Sequence, residues 1–467
     1  MSIIALKPSI QFREGSALRR RILVAVVSII VIAGILLALL APQILTQQGR
    51  EVRLVVVTRL APEEGNALRE RFLKSDIAAK YGIKDIEFRK EDVGKWRSFV
   101  ESGAVDVFLI GGYAVYNSLC RDGYLEPITS REVISRASSI GAEIYRDDKG
   151  NVCFISVSRT IFSFTVNNDY LSRYSLPKPS SWEDLASPAF SASLLKGDPA
   201  ISFPMPSKST TAARTLQLIL QKYGWDRGWQ ILTIIGANSK IVESSEKARD
   251  DVATGISGAA PTVLIYGLRA VNASGGKAEF VIATQGLLPD ISPVAIAKNT
   301  KNKEAAEAFI LWLLSDEGQK ALAELFYYLP YQLPKGTPLE EIYRKATGNI
   351  YPYDPEDSSK WELSAVYYFE AAIADSDTNT LLKKIWSKAV SLYLNGSISS
   401  RDLEALVAKL GSPLEIDYKG AKSVFTKEFA SNINNMLRSP QEADLFKSAV
   451  KKAAIERYSS ILKSLGG

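Results

Sequence analysis

Four hydroxyl side chains crowd the start of one apolar segment. In PSKSTTAARTLQLILQKYGWDRGW, Ser207, Ser209, Thr210 and Thr211 stand just before Leu216, Leu218, Ile219 and Leu220. A helix starting there leaves its first N–H groups without intrahelical partners, and its positive end favours phosphate, carboxylate or sulfate. The same residues would equally serve as an ordinary N-cap. Arg59 and Arg159 are basic groups that would suit such a site, because a guanidinium fork grips oxyanions, although each alone would pass as a solvated surface charge. The run VESSEK adds Ser244 and Ser245 as weaker candidates.

The chain contains no histidine. That count excludes Ser-His-Asp and Cys-His nucleophiles, HExxH zinc sites and any imidazole base. There is also no phosphate loop of the GxxxxGK[ST] type, no GxSxG elbow and no EF-hand loop. A hydrolase or transferase would then need a carboxylate pair or a metal, and no clustered candidates stand out. The net charge of +6 is modest, and no basic block with interleaved aromatics points to nucleic acid.

At 467 residues, with 23% charged and 46% hydrophobic residues, the chain is too long for one core and reads as about two to three domains. Ile22–Ala41 is free of charge and, at about 1.5 Å per residue, long enough to cross a hydrocarbon core of roughly 30 Å. Arg19, Arg20 and Arg21 precede it, which keeps the tail 1–21 in the cytoplasm and puts the chain beyond Pro42 outside. A cleaved signal peptide is the rival; the run exceeds the roughly 7 to 15 residues of an h-region, which favours an uncleaved single-pass anchor. In an oxidising exterior, Cys120 and Cys153 could pair, or both could remain buried thiols.

Beyond the linker 42–50, strands and helices alternate. Arg53–Thr58, Ile86–Arg89 and Val105–Ile110 read as strands, with helices at Pro62–Leu73 and Val93–Val100 between them. This is the pattern of a mostly parallel sheet with helices on both faces, in which ligands sit at the carboxyl ends of strands. The rule selects Thr58 and Arg59 after the first strand and Gly111, Gly112 and Tyr113 after the third. The two glycines would let a ligand approach the backbone, or would simply make a tight turn. Ile155–Val166 reads as a crossing strand to a second lobe; Ile201–Phe203, Val263–Tyr266 and Phe280–Ala283 add strands there, and Pro293–Ala297 returns. Further on, Trp361, Val366, Phe369 and Ile373 form one helical stripe and Leu382, Ile385, Trp386, Ala389, Val390 and Tyr393 another. Ser439-Pro-Gln-Glu442 reads as a capping box with proline at the first helical position of a last helix.

The segments DVFLIGG, SWEDLASPAF, KYGWDRGW, ATGISGAAPTVLIYGLRA and SPVAIAKNTKNKEAAEAFILWLLSDEGQKAL occur in that order over roughly Glu51 to Gln332. Together they resemble the extracellular solute-binding proteins of ABC importers, in the type II branch that includes binders of ferric iron, thiamine, phosphorylated sugars, phosphonates and polyamines. The resemblance implies an α/β, two-lobed type II periplasmic-binding-protein-like fold with an N-terminal transmembrane helix and an extra C-terminal helical region. Lobe 1 would span 51–163 and 289–345, lobe 2 164–288, and a helical appendage 346–467. It implies no catalysis and no cofactor; the partners would be a small solute, an ABC permease with its ATPase, and the membrane through the N-terminal helix. Ser207–Thr211 would match the family's anion-binding helix start. Tyr266 would lie near the tyrosinate of iron-binding members, but Gly267 follows where those members carry a second tyrosine. Ferric iron is therefore an alternative ligand, and an anchored sensor without a transporter an alternative role.

Overall fold

The computed structural model describes residues 52–332 and 338–466. The Ile22–Ala41 segment lies outside them, and among the described residues no helix is long and apolar enough to cross a membrane.

One eleven-stranded mixed sheet runs through both lobes. Its main strands are β1 (Val52–Thr58), β2 (Ile83–Lys90), β3 (Val107–Leu109), β4 (Val152–Asn167), β5 (Ile201–Pro204), β6 (Ser239–Val242), β7 (Ala259–Val263) and β8 (Leu288–Ala297). They lie in the order β2-β1-β3-β8-β4-β7-β5-β6. In lobe 1, β1 runs parallel to β2 and β3; in lobe 2, β5 runs parallel to β6 and β7. The long antiparallel pair β4 and β8 joins the lobes, with Thr160 opposite Asp290 and Ser158 opposite Ser292. Register then fixes which strand ends meet. Leu109 at the end of β3 lies beside Val294, and Val263 at the end of β7 lies beside Phe162. The carboxyl ends of both parallel sets therefore face each other across the middle of the crossing pair.

The helices that matter for this seam are α1 (Pro62–Leu73), α2 (Tyr113–Arg121), α3 (Thr210–Tyr223), α4 (Trp225–Ala237), α5 (Ser245–Thr254) and α6 (Leu264–Ala273). α1 begins with proline at its first position, and Glu64 reaches back to accept the Ala61 N–H at 2.8 Å. Three sequence expectations shift. Val263–Tyr266 is not a strand: β7 ends at Val263 and Leu264 opens α6, so Tyr266 sits in a first helical turn. The helix from Ser207 breaks at Gly224, and Val93–Val100 splits into a 3-10 turn and a short helix.

Cys120 and Cys153 are disulfide-bonded, with Cα atoms 5.8 Å apart. The bond ties α2 to β4 and so steadies the helix whose start faces lobe 2. Closing a loop of 33 residues restricts the unfolded chain, and reduction should lower stability by about 3–4 kcal/mol on the chain-entropy relation. Urea unfolding with and without a thiol reductant measures this; an unchanged midpoint with both thiols shown to be free would remove the claim.

The C-terminal region is built from α7 (Pro355–Ser359), α8 (Glu362–Phe369), α9 (Ser376–Leu394), α10 (Ser400–Gly411) and α11 (Pro440–Ser464), with a hairpin of β9 (Glu415–Tyr418) and β10 (Ala421–Val424). The hairpin corrects the expectation of a purely helical appendage. Ser439 precedes α11 without a side-chain cap, so the expected capping box is not formed, although Pro440 does take the first turn. Nor does this region hang from the lobes. Trp361, Phe369, Ile373 and Trp386 join Trp229, Leu232 and Ile235 of α4 in one apolar cluster with lobe 2. Gly236 lies so close to Ile373 that a methyl group there would overlap it.

Candidate functional site

Three helix starts of lobe 2 converge at the seam, because α3, α5 and α6 follow the carboxyl ends of β5, β6 and β7. The Ser209 hydroxyl accepts the Ala212 N–H at 3.0 Å and lies 2.6 Å from the Ser245 hydroxyl, which joins the starts of α3 and α5. Ser244 caps α5 by accepting the Lys247 N–H at 3.1 Å. Tyr266, in the first turn of α6, donates its hydroxyl to Glu246 at 2.7 Å. Burial opposes the charge of Glu246, yet the Tyr266 hydroxyl, a backbone N–H and Lys90 of lobe 1 outweigh it and lower its pKa. Burial and the same Glu246 push the Tyr266 phenol well above its ordinary range, so it stays protonated.

Arg214 stands at the centre of the seam. It lies one turn into α3 and is 4% exposed. Its Nε donates to Asp290 on β8 at 2.9 Å, and its Nη1 donates to Gln217 at 2.6 Å and to the Tyr353 hydroxyl at 3.3 Å. Nη2 is turned toward lobe 1. A Cβ on Gly112 would fall 2.9 Å from it, and Gly112 has φ 83°, a left-handed value that glycine adopts without a steric penalty. Gly111 has a different reason: a Cβ there would fall 2.5 Å from the Trp96 ring. Among the described residues no acceptor is bonded to Nη2. Close by in the chain and across the strands, Thr160 Oγ1, Ser158 Oγ and Gln217 Nε2 are buried without a hydrogen-bond partner among the described residues. Buried polar atoms are rarely left so, which marks this as a place for solvent or solute.

The lobes are shut on each other. Arg269 of α6 pairs with Glu64 of α1 at 2.7 Å, and Ile265 packs into the apolar cluster of lobe 1.

The expected residues divide into two groups. Gly112, Ser209 and Tyr266 stand at the seam with the partners given above. Tyr113 opens α2, its ring 5.4 Å from that of Tyr145, and burial followed by Glu356 and Asp354 raises its pKa. The Ser207 N–H is taken by Glu370 at 2.8 Å; Thr210 is exposed, and Thr211 is buried with its carbonyl accepting the Thr215 hydroxyl. Thr58 is buried, its hydroxyl accepting the Leu60 N–H at 3.1 Å. Arg59 is engaged by Asp92 at 2.6 Å. Arg159 is held by Glu143 at 2.5 Å and lies over the Tyr331 ring. Both arginines thus have carboxylate partners within lobe 1, and the guanidinium buried at the seam is that of Arg214. Arg214, Asp290, Gln217 and Tyr353 were not among the sequence candidates. A lone arginine inside TAARTLQLIL and a lone acid inside LLPDISPVAI were the available signal, since such charges seldom enter apolar segments unpaired.

The model for "Bacterial extracellular solute-binding protein" matches residues 103–347. The chain is 30% identical over 173 residues to "Phosphoglycerate transport regulatory protein PgtC" of Salmonella typhimurium, covering 36% of this chain and 41% of that protein. It thus spans about two fifths of the length of that curated relative. Two solved structures share the fold. Iron-bound HitA from Pseudomonas aeruginosa superposes with a TM-score of 0.53 at 20% identity, over 68% of this chain and 98% of that one. AfuA from Actinobacillus pleuropneumoniae, with fructose-6-phosphate bound, gives 0.51 at 20% identity, over 73% and 99%. The two-lobed sheet, its paired strand ends and the extent of the family match agree, and the chain belongs to the bacterial extracellular solute-binding proteins.

Proposed function

We propose that this chain is an extracellular receptor that captures a small oxyanion-bearing solute and hands it to an ABC permease. The observation that carries the reading is the buried Arg214 of α3, whose Nη2 faces Gly112 of lobe 1 across the seam; the starts of α3, α5 and α6, bonded to one another through Ser209–Ser245 and Tyr266–Glu246, stand on the lobe 2 side. N–H groups and a guanidinium suit phosphate or carboxylate. The relative named for phosphoglycerate transport supports the same class. The charge-free run Ile22–Ala41 supports an anchor in the membrane. Ferric iron is the weaker reading, since Gly267 follows Tyr266 where iron-binding members carry a second tyrosine, and the Tyr266 hydroxyl is bonded to Glu246.

The word "regulatory" in that relative's name favours a second reading, an anchored sensor that reports the same solute to a partner protein. Thermal unfolding of the full chain in mild detergent, against phosphoglycerate, fructose 6-phosphate, ferric citrate, thiamine and a polyamine, tests the solute class. A ligand at about 100 times its Kd should add about 2.7 kcal/mol. A shift with the phosphorylated compounds is the expected result; a shift with the polyamine alone would reverse the assignment. Uptake in vesicles carrying the permease then separates receptor from sensor.

A further inference from the structure

The segment beyond residue 349 touches both lobes, and it does so beside Arg214. It first docks on the strand connection before β8, where the Leu287 N–H donates to the Asn349 carbonyl and the Tyr351 N–H to the Leu287 carbonyl. It then runs along one face of α3. Arg214, Gln217 and Gln221 are spaced three and four residues apart and so share that face. The Tyr351 hydroxyl donates to the Gln221 carbonyl at 2.9 Å, the Gln221 amide bonds the Asp354 backbone at both ends, and the Tyr353 hydroxyl donates to Gln217 at 2.6 Å. Tyr353 also lies 2.5 Å from the Ser358 hydroxyl and accepts from Arg214. From Asp354, which caps it, α7 packs against α2 of lobe 1, while Lys427 holds Asp357 at 2.7 Å.

A two-lobed receptor closes when something contacts both lobes at once, and that is ordinarily the solute. In this chain a segment of the protein already does so without one. Its root is fixed, because α8, α9 and α11 share their core with lobe 2. Its tip meets the first turn of α2, next to the glycine that faces Arg214.

We propose that Tyr351–Ser359 is a clamp, carried by lobe 2, that holds the cleft shut in the empty chain, and that Tyr353 couples the clamp to Arg214. A solute group that draws Nη2 toward lobe 1 shifts the guanidinium away from the Tyr353 hydroxyl bonded to Nη1, so capture loosens the clamp. The proposal does not depend on which solute the cleft takes.

Amide hydrogen exchange of the full chain, with no solute added, tests it. The N–H groups of Tyr113–Val115 stand in the first turn of α2, where no intrahelical acceptor protects them, so their exchange reports cover by the clamp. Tyr353→Phe removes only the hydroxyl and should speed their exchange about 3-fold. Tyr353→Ala should speed it more than 10-fold, with α9 as protected as before. Unchanged exchange at Tyr113–Val115 in both variants overturns the proposal. So does an equal loss of protection across α9, which would make the segment a general support of the fold.

Discussion

Arg214→Ala should cost about 3–5 kcal/mol of stability, because it strands Asp290 as a buried carboxylate without its partner. The ion pair is 2.9 Å long, with side-chain exposures of 5% and 8%, so solvent cannot replace the lost charge. Gln217 and Tyr353 lose a donor in the same step. Urea unfolding followed by tryptophan fluorescence gives the number, and the Arg214→Gln, Asp290→Asn double variant should recover much of it, since no unpaired charge is then left inside. Binding separates the two roles of the arginine. The double variant, folded but without a guanidinium toward Gly112, should lose most of its affinity for the phosphorylated ligand found by the thermal screen. Full affinity in a folded double variant would remove Arg214 from the site, and a single-variant cost below about 1 kcal/mol would contradict the buried pair.

Cutting the chain after residue 347, where the family match ends, should leave a fragment that does not fold. The cut removes Trp361, Phe369, Ile373 and Trp386 from the core of lobe 2. Each is worth about 1.5–3 kcal/mol when buried, so these four alone rival the roughly 5–15 kcal/mol that holds a domain together. Polar contacts go with them: Trp225 donates to the Phe425 carbonyl at 2.7 Å, Trp386 to Ser191 at 2.8 Å and Asn379 to the Gly236 carbonyl at 3.0 Å. The expected product is insoluble, or soluble with exposed apolar surface that binds a hydrophobic dye. A monomeric, cooperatively unfolding fragment 52–347 would show that the C-terminal region is an accessory after all.

Local periodicity was enough to delimit Pro62–Leu73 as a helix and to read the first strand nearly end to end, because those patterns are written in neighbouring residues. The ordered segments from DVFLIGG to SPVAIAKN carried the family and its two lobes. Local reading went astray where a short apolar run fits either state. Val263-Leu-Ile-Tyr266 looks like a strand, and only the end of the β7 pairing against β4 makes it the start of a helix. Ser207–Thr211 was legible as a helix start, since capping is local chemistry. Its charge partner was not: Arg214 and Asp290 are 76 residues apart, and Tyr353 joins them from 139 residues beyond Arg214. By itself, then, the sequence determined the absence of imidazole chemistry, the alternation of elements and the polar helix start. The tertiary structure alone decided which arginine is buried at the seam and that the C-terminal region shares its core with lobe 2, because burial and ion pairing depend on what the chain brings together and not on what lies next along it.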